Sequence, residues 1–134
     1  MVTFKKIGEM GRLGNQLFQY AAIRSLALKN GYNFKLPNIS KKTFHGQAHI
    51  LDNFNINKNY LTFFEKLFIV NNYIEPNWRK IDPNFFNIKD NTSISGYFQS
   101  MFYFENCIDI IKKELKPKDE ILQKRRGVVG RKVR

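Results

Sequence analysis

The chain has 134 residues, of which 43% are hydrophobic and 15% aromatic, a length and composition that predict one domain with a buried core and exclude disorder over most of the chain. Its net charge is +12, but six basic residues and no acidic ones lie in 123–134, so half of the excess is confined to the last dozen positions. The single cysteine excludes an internal disulfide framework, and we expect neither a signal peptide nor a membrane span, because the longest apolar stretch, residues 61–70, is too short and is interrupted by charges.

The front of the chain predicts a βαβ unit. Apolar side chains alternate over residues 2–7, which predicts a first strand that ends at Gly8. A helix with one small and apolar stripe follows and ends at Gly31, and residues 32–36 predict a second strand that Pro37 stops. This succession of strand, helix and strand implies a right-handed crossover in a parallel sheet.

Shorter elements are predicted beyond this unit. Residues 60–70 predict a helix, either in the core or at an interface, and residues 72–75 a short extended segment. Residues 92–98 predict a strand, because β-branched and aromatic side chains dominate there. Ser100 predicts the N-cap of a helix that continues through Leu115.

The sequence GRLGNQLFQYA, residues 11–21, connects the first strand to the first helix. Gly11 and Gly14 permit positive φ and close backbone approach, and Asn15 could cap the helix by accepting a backbone N–H bond. A glycine turn at a helix N-terminus favours anionic or polyol ligands. From the residues alone, an ordinary structural turn with an ordinary cap is an equally good interpretation.

A second stretch, GYFQS at residues 96–100, is followed shortly by an aromatic pair. Together the two stretches resemble glycosyltransferase family 11, the α-1,2-fucosyltransferases, whose corresponding segments read roughly GGLGNQLFQYA and GYFQSEKYF. Arg12 replaces the second glycine, and Met101 and Phe102 stand where a charged pair is usual. The resemblance extends over residues 4–117 and matches only the front part of such an enzyme.

The resemblance implies an α/β fold, namely the Rossmann-like N-terminal half of a GT-B-type glycosyltransferase, here incomplete. It divides the chain into a truncated acceptor-side domain at residues 1–122 and a basic tail at 123–134, which we expect to be disordered. It implies substrate contacts at Gly11, Gly14, Asn15 and Gln16. The residues to which it gives a structural role in the motifs are Gln19, Gly96, Tyr97, Phe98, Gln99 and Ser100.

The implied activity is the inverting transfer of L-fucose from GDP-fucose to the 2-hydroxyl of a galactoside in a surface glycan, without a metal or other cofactor. The implied partners are GDP-fucose and a galactose-containing acceptor glycan, and no nucleic acid is expected. The implied location is the cytoplasm, with peripheral association at the inner face of the membrane left open. No spacing of acidic residues suggests a pair for acid–base catalysis, so the catalytic base is unassigned.

Two other features are candidates for chemistry. His45 and His49 lie four positions apart, as zinc ligands on a helix do, but Gly46 argues against a helix and no third ligand is evident, so no metal site is predicted. Cys107 falls on an apolar helical face, which predicts a buried thiol and not a nucleophile.

The end of the chain departs from the family. Full-length members carry a later HxRRxD segment, whose arginines grip the GDP diphosphate. Here Arg125 and Arg126 are flanked by Gln123 in place of the histidine and Val128 in place of the aspartate. We interpret residues 123–134 as a frameshifted or foreign tail, or a truncation scar, and expect the chain to be inactive alone. The alternative function is a non-catalytic binder of nucleic acid or another anionic surface through this tail, an attraction that salt would weaken.

Overall fold

The computed structural model describes residues 1–7, 13–37 and 60–117. In these ranges the chain forms four short strands: β1 (Val2–Thr3), β2 (Phe34–Lys35), β3 (Asn71–Ile74) and β4 (Thr92–Ser95). They are accompanied by three α-helices: α1 (Leu13–Asn30), α2 (Phe63–Phe68) and α3 (Ile108–Glu114). Single 3₁₀ turns lie at Phe85–Asn87, Met101–Tyr103 and Glu105–Cys107.

The four strands form one parallel sheet in the order β2-β1-β4-β3. The chain passes from β1 to β2 on one side, and then to β3 and β4 on the other. The carboxyl ends of β1 and β4 are therefore neighbours, and in open parallel sheets ligands bind outside the carboxyl ends of the strands. The α/β class with a parallel sheet, predicted from the sequence, is confirmed.

α1 provides one wall of the core. Tyr20, Ile23 and Leu26 on this helix are fully buried, and Gly31 follows its last residue with a φ of 70°. The helix begins at Leu13, so Asn15 lies within its first turn. The prediction that Asn15 is the N-cap is wrong, because a cap residue stands outside the helical turn and its side chain closes a backbone N–H of that turn.

An aromatic cluster forms part of the same core. The ring of Phe98 is fully buried and contacts four other rings at centroid distances between 5.3 and 6.3 Å: those of Phe4, Tyr73, Phe85 and Tyr103. Aromatic pairs of this kind contribute about 0.5–1.5 kcal/mol each beyond the burial of their area. The GYFQS motif is therefore anchored in the core through its phenylalanine.

Several predicted elements are shorter than expected, and the second strand, predicted over residues 32–36, is limited to Phe34–Lys35. β1 ends at Thr3 because the chain turns, with the N–H of Ile7 donating to the carbonyl of Phe4 at 3.1 Å. β4 ends at Ser95 because the next residue is a glycine with a φ of 151°. The long final helix is instead two 3₁₀ turns followed by α3, although Ser100 does cap the first turn by accepting from the N–H of Phe102 at 3.2 Å.

α2 is shorter than predicted, and it is not a core helix. Thr62 caps it, and Glu65 completes the capping box by accepting from the backbone N–H of Thr62. Lys35 on β2 contacts the Glu65 carboxylate at 2.8 Å, and this hydrogen bond is the main reason that the pKa of Glu65 is lowered to about 2. None of the α2 residues is buried, so of the two predicted locations the core is wrong.

α3 is fastened to α1 by a charged contact. The guanidinium of Arg24 meets both carboxylate oxygens of Glu114, the shortest contact being 2.9 Å, and the hydroxyl of Tyr20 donates to the same carboxylate at 2.6 Å.

None of the described helices combines the length and the apolar character that crossing a membrane requires. The proposed tail, residues 123–134, lies outside the described ranges.

Candidate functional site

The two sequence motifs, residues 11–21 and 96–100, meet through their described residues at the carboxyl edge of the sheet. The side-chain amide of Gln99 donates to Oδ1 of Asn15 at 2.6 Å, across 84 positions of sequence. The side-chain amide of Gln19, one helical turn later, donates to the carbonyl of Gly96 at 3.0 Å. The first turn of α1 and the turn after β4 are therefore joined side by side. Gly11, the first glycine of the motif, lies outside the described residues.

Gly14 is exposed and lies in the first turn of α1. Its φ is not positive, so it does not adopt the conformation that a glycine at this position would permit. A Cβ built on it would meet no heavy atom of the described residues within 4 Å. Neither backbone conformation nor packing in that part of the structure therefore requires glycine at this position. Among the described residues, the missing side chain leaves space unoccupied at the start of a helix, where backbone N–H groups attract anions.

Gln16 lies beneath the surface. Its side chain is only 1% exposed, whereas Asn15 beside it is partly accessible. Oε1 of Gln16 has no hydrogen-bond partner among the described residues, and a buried acceptor in that state costs about 1–3 kcal/mol. Of the four predicted substrate-binding residues, the described structure thus gives solvent access to Gly14 and Asn15.

The turn after β4 is built around a buried carboxylate. Oε1 of Glu75 accepts from the backbone N–H groups of Tyr97 at 3.0 Å and Phe98 at 3.4 Å. Phe98 has a φ of 50°, in the left-handed region that costs a side-chain-bearing residue about 1–3 kcal/mol. Successive N–H groups around an anion form a nest. Here the Glu75 carboxylate occupies the nest, and its two hydrogen bonds stabilise the strained turn.

Glycine is required at position 96 because Glu75 packs directly against it. Its φ is 151°, and a Cβ on it would stand 2.5 Å from the Cβ of Glu75. The reason is register: Ile74 pairs with Ser95, so Glu75 and Gly96 are the next residues on two adjacent parallel strands. The sequence analysis missed Glu75. Glu75 is the last residue of the predicted extended segment 72–75, and Gly96 lies within the predicted strand 92–98. The available signal was therefore an acid and a glycine at positions where strands disfavour both residue types.

A cavity of about 360 Å³ opens beside this turn and is lined by Trp78, Tyr97 and Gln99. Trp78 comes from the loop after β3, where the Oδ1 of Asn77 accepts from the N–H of Arg79 at 2.9 Å and forms a tight turn. Tyr97 and Gln99 belong to the GYFQS motif. A second cavity of about 360 Å³, lined by Asn71, Thr92 and other residues, lies at the strand beginnings.

The remaining chemical candidates are weaker. Burial raises the pKa of the Cys107 thiol, which is half-buried and not fully buried as predicted, and its Sγ lies 3.6 Å from the carbonyl of Phe104. A thiol with a raised pKa is a poor nucleophile. Within the described ranges no three histidine, cysteine or acidic side chains group as metal ligands. His45 and His49 lie outside those ranges.

Comparison of the chain with protein-family models, with curated proteins and with solved structures finds no match. The site must therefore be interpreted from its own residues: a glycine that leaves space at a helix start, an amide pair joining two motifs, and an aromatic cavity beside them.

Proposed function

We propose that this chain carries the Rossmann-like, acceptor-side domain of a GT-B-type inverting α-1,2-fucosyltransferase. The observation that carries the proposal is the 2.6 Å bond between Asn15 and Gln99. It joins the two stretches that resemble the family, and it does so at the carboxyl ends of parallel strands, where ligands bind in folds of this class.

The reaction moves one sugar. The oxygen of the galactoside 2-hydroxyl attacks C1 of fucose, and the bond from C1 to the phosphate oxygen breaks. The electron pair of that bond leaves with GDP, and the hydroxyl proton passes to a base. An enzyme speeds such a displacement by holding both reactants in line and by stabilising the charge that develops on the leaving diphosphate.

The first turn of α1 is the proposed contact with the donor. Among the described residues Gly14 leaves space in which a ligand can approach the helix start, and the positive end of the helix dipole there favours negative charge. Asn15 is held in one orientation by Gln99, so its own remaining amide group is presented in a defined direction. Gln16 supports this turn from beneath.

The proposal assigns no catalytic base. Glu75 is the acidic residue of the GYFQS turn, and its carboxylate already accepts two backbone N–H bonds. The described residues at this edge also include no arginine pair of the kind that the resembled family uses for the diphosphate. We therefore expect this domain by itself to bind the donor weakly.

The experiment is an NMR titration of the isotopically labelled chain with GDP-fucose, observing the side-chain amide signals of Asn15 and Gln99. Saturable shifts of these two signals at millimolar GDP-fucose are expected, with clearly weaker shifts for GDP-mannose, which differs only in the sugar. Absence of shifts, or equal shifts with any nucleotide sugar, would refute the proposal.

A matched control is the exposed amide of Asn87, which lines the cavity at the opposite edge of the sheet and should not respond. Deletion of residues 123–134 tests the alternative function. If the shifts persist and only polyanion binding is lost, the tail is accessory. If the shifts disappear with the tail, the binding is charge-driven and the anionic-surface alternative is favoured.

A further inference from the structure

We propose that α2 docks the protein on an anionic phospholipid surface. This role is independent of the proposed function, because the residues that carry it belong to neither sequence motif. They are the exposed apolar side chains of α2 and of the strand approach that follows it, which together form the docking face: Phe63, Phe64, Leu67, Phe68 and Val70.

The docking face reverses the usual arrangement of a surface helix. Such a helix normally turns its apolar side chains toward the core and its charged ones toward solvent. The four apolar side chains of α2 share a sector of about 140° around the helix axis, at about 100° per residue. They are between 61 and 76% exposed, whereas Glu65, outside that sector, is held to the protein by Lys35 at 2.8 Å.

The orientation of α2 is fixed by the residues around it. Leu61 before the helix and Ile69 directly after it are both buried. At the carboxyl end of the helix, Nζ of Lys5 donates to the carbonyls of Ile69 at 3.2 Å and Lys66 at 3.5 Å. Turning the apolar side chains inward would break these contacts, so the fold itself presents the docking face to solvent.

The apolar character of the docking face suits the boundary between lipid headgroups and acyl chains. The rings of Phe63 and Phe64 contact each other at 5.9 Å between centroids and so form one apolar surface. Phenylalanine and leucine are the residues that interfacial helices bury at this boundary. With six residues α2 cannot span a membrane, which takes about twenty. Acyl chains also adapt to projecting rings of any shape, whereas a protein partner would need a matching groove.

The charge of the protein complements an anionic surface. Lys6 and Lys66 are exposed beside the Lys5 contact, and the one acid of α2 is already paired with Lys35. The whole chain carries a net charge of +12, and residues 123–134 add six basic side chains and no acid. Basic residues close to a negatively charged lipid surface strengthen the binding that apolar side chains begin.

The test is co-sedimentation of the full chain with vesicles. One set contains phosphatidylcholine and phosphatidylglycerol in equal parts, and the other contains phosphatidylcholine alone. We expect clear binding to the anionic set and much weaker binding to the neutral set. Part of the binding should survive an increase from about 0.1 M to about 1 M salt, because salt screens charges but does not weaken apolar insertion. Absence of binding, or equal binding to both sets, would overturn the proposal.

The double variant Phe64→Ser with Phe68→Ser is expected to weaken binding to the anionic vesicles at least roughly tenfold and to abolish the salt-resistant part. The matched control is Ile81→Ser with Met101→Ser, two exposed apolar residues outside the docking face, and it should bind as the original chain does. Both pairs are at the surface, and circular dichroism verifies that each variant is folded. Unchanged binding in the first variant would assign the attraction to charge alone and overturn the proposal.

A fluorescent reporter distinguishes insertion from loose attachment. Phe68→Trp places an indole on the docking face, and the original chain, whose single tryptophan is Trp78, is the control. We expect anionic vesicles to shift the emission of Phe68→Trp to shorter wavelength and to leave that of the original chain unchanged. The opposite pattern would show that another surface meets the lipid.

A second copy of the chain is the competing occupant of the docking face. Analytical ultracentrifugation without lipid is expected to show a monomer. A dimer that the Phe64→Ser and Phe68→Ser variant dissociates would assign the face to a second copy and overturn the lipid assignment. Neither result bears on the response of Asn15 and Gln99 to GDP-fucose, so the proposed function is tested separately.

Discussion

The first turn of α1 and the turn after β4 each contain a glycine of one of the two sequence motifs, but the conformations and surroundings of the two glycines differ. Gly96 has a φ of 151°, and a Cβ there would overlap the Cβ of Glu75 at 2.5 Å. Gly14 is helical and exposed, and a Cβ there would meet no described atom within 4 Å. The fold therefore explains the glycine at position 96, whereas no described residue gives a structural reason for the glycine at position 14.

This difference between the two glycines distinguishes a turn that the fold itself requires from a candidate ligand contact, although both lie on the same surface of the protein. In the turn after β4, the Glu75 carboxylate accepts from the backbone N–H groups of the nest, and Phe98 is buried in the core. The start of α1 is open, with a glycine and an amide facing accessible space. Four substitutions test this contrast, and they are ordered here by the size of the expected effect.

Gly96→Ala is expected to reduce the free energy of unfolding by about 3 kcal/mol or more, from backbone strain and from overlap with Glu75. Chemical denaturation followed by circular dichroism measures this loss. The double variant Gly96→Ala with Glu75→Gly removes the overlap, but it keeps the backbone strain and loses the acceptor of the Tyr97 and Phe98 N–H groups. Its loss should therefore be smaller than the sum of the losses in the two single variants. A stable single variant would show that the turn is not closed as described.

Glu75→Ala is expected to cost about 2 kcal/mol, because the N–H groups of Tyr97 and Phe98 lose their acceptor. Glu75→Gln retains an acceptor oxygen and should cost about half as much. The same denaturation assay compares the two variants. Equal losses in both would mean that the charge, and not the acceptor atom, is what the nest requires.

Gln99→Ala is expected to cost about 0.5–1 kcal/mol, since the bond to Asn15 is exposed. A double-mutant cycle with Asn15→Ala should give a coupling energy of similar size, because each single variant breaks the same bond. Additive losses would contradict the joining of the two motifs.

Gly14→Ala is expected to raise the free energy of unfolding by about 0.5–1 kcal/mol, because alanine is the better helix former and meets no clash. The same variant should weaken the response of Asn15 to GDP-fucose, because its methyl group fills the open space. A loss of stability would show instead that folding does require glycine at this position, and the contrast with Gly96 would disappear.

Much of the architecture could be predicted from local pattern. The βαβ unit, the extended segment at β3 and the cap at Ser100 each depend on residues close in sequence, and each is present in the structure. The ends of elements were predicted less well. β4 ends at Ser95, where Glu75 from the segment after β3 binds the turn that follows, and α1 begins at Leu13 and so includes Asn15.

By itself the sequence determined the α/β class, the parallel sheet and the two motifs, because periodicity and glycine positions are local properties of the chain. Only the tertiary structure decided that Glu75 fills the nest, that Trp78 faces the motif, and that Phe98 is buried while Phe64 is exposed. The physical reason is that the burial of a side chain, and the partners of a charged one, depend on which strands become neighbours. In this sheet, β3 and β4 bring two short loops together, and neither loop alone shows what the other will supply.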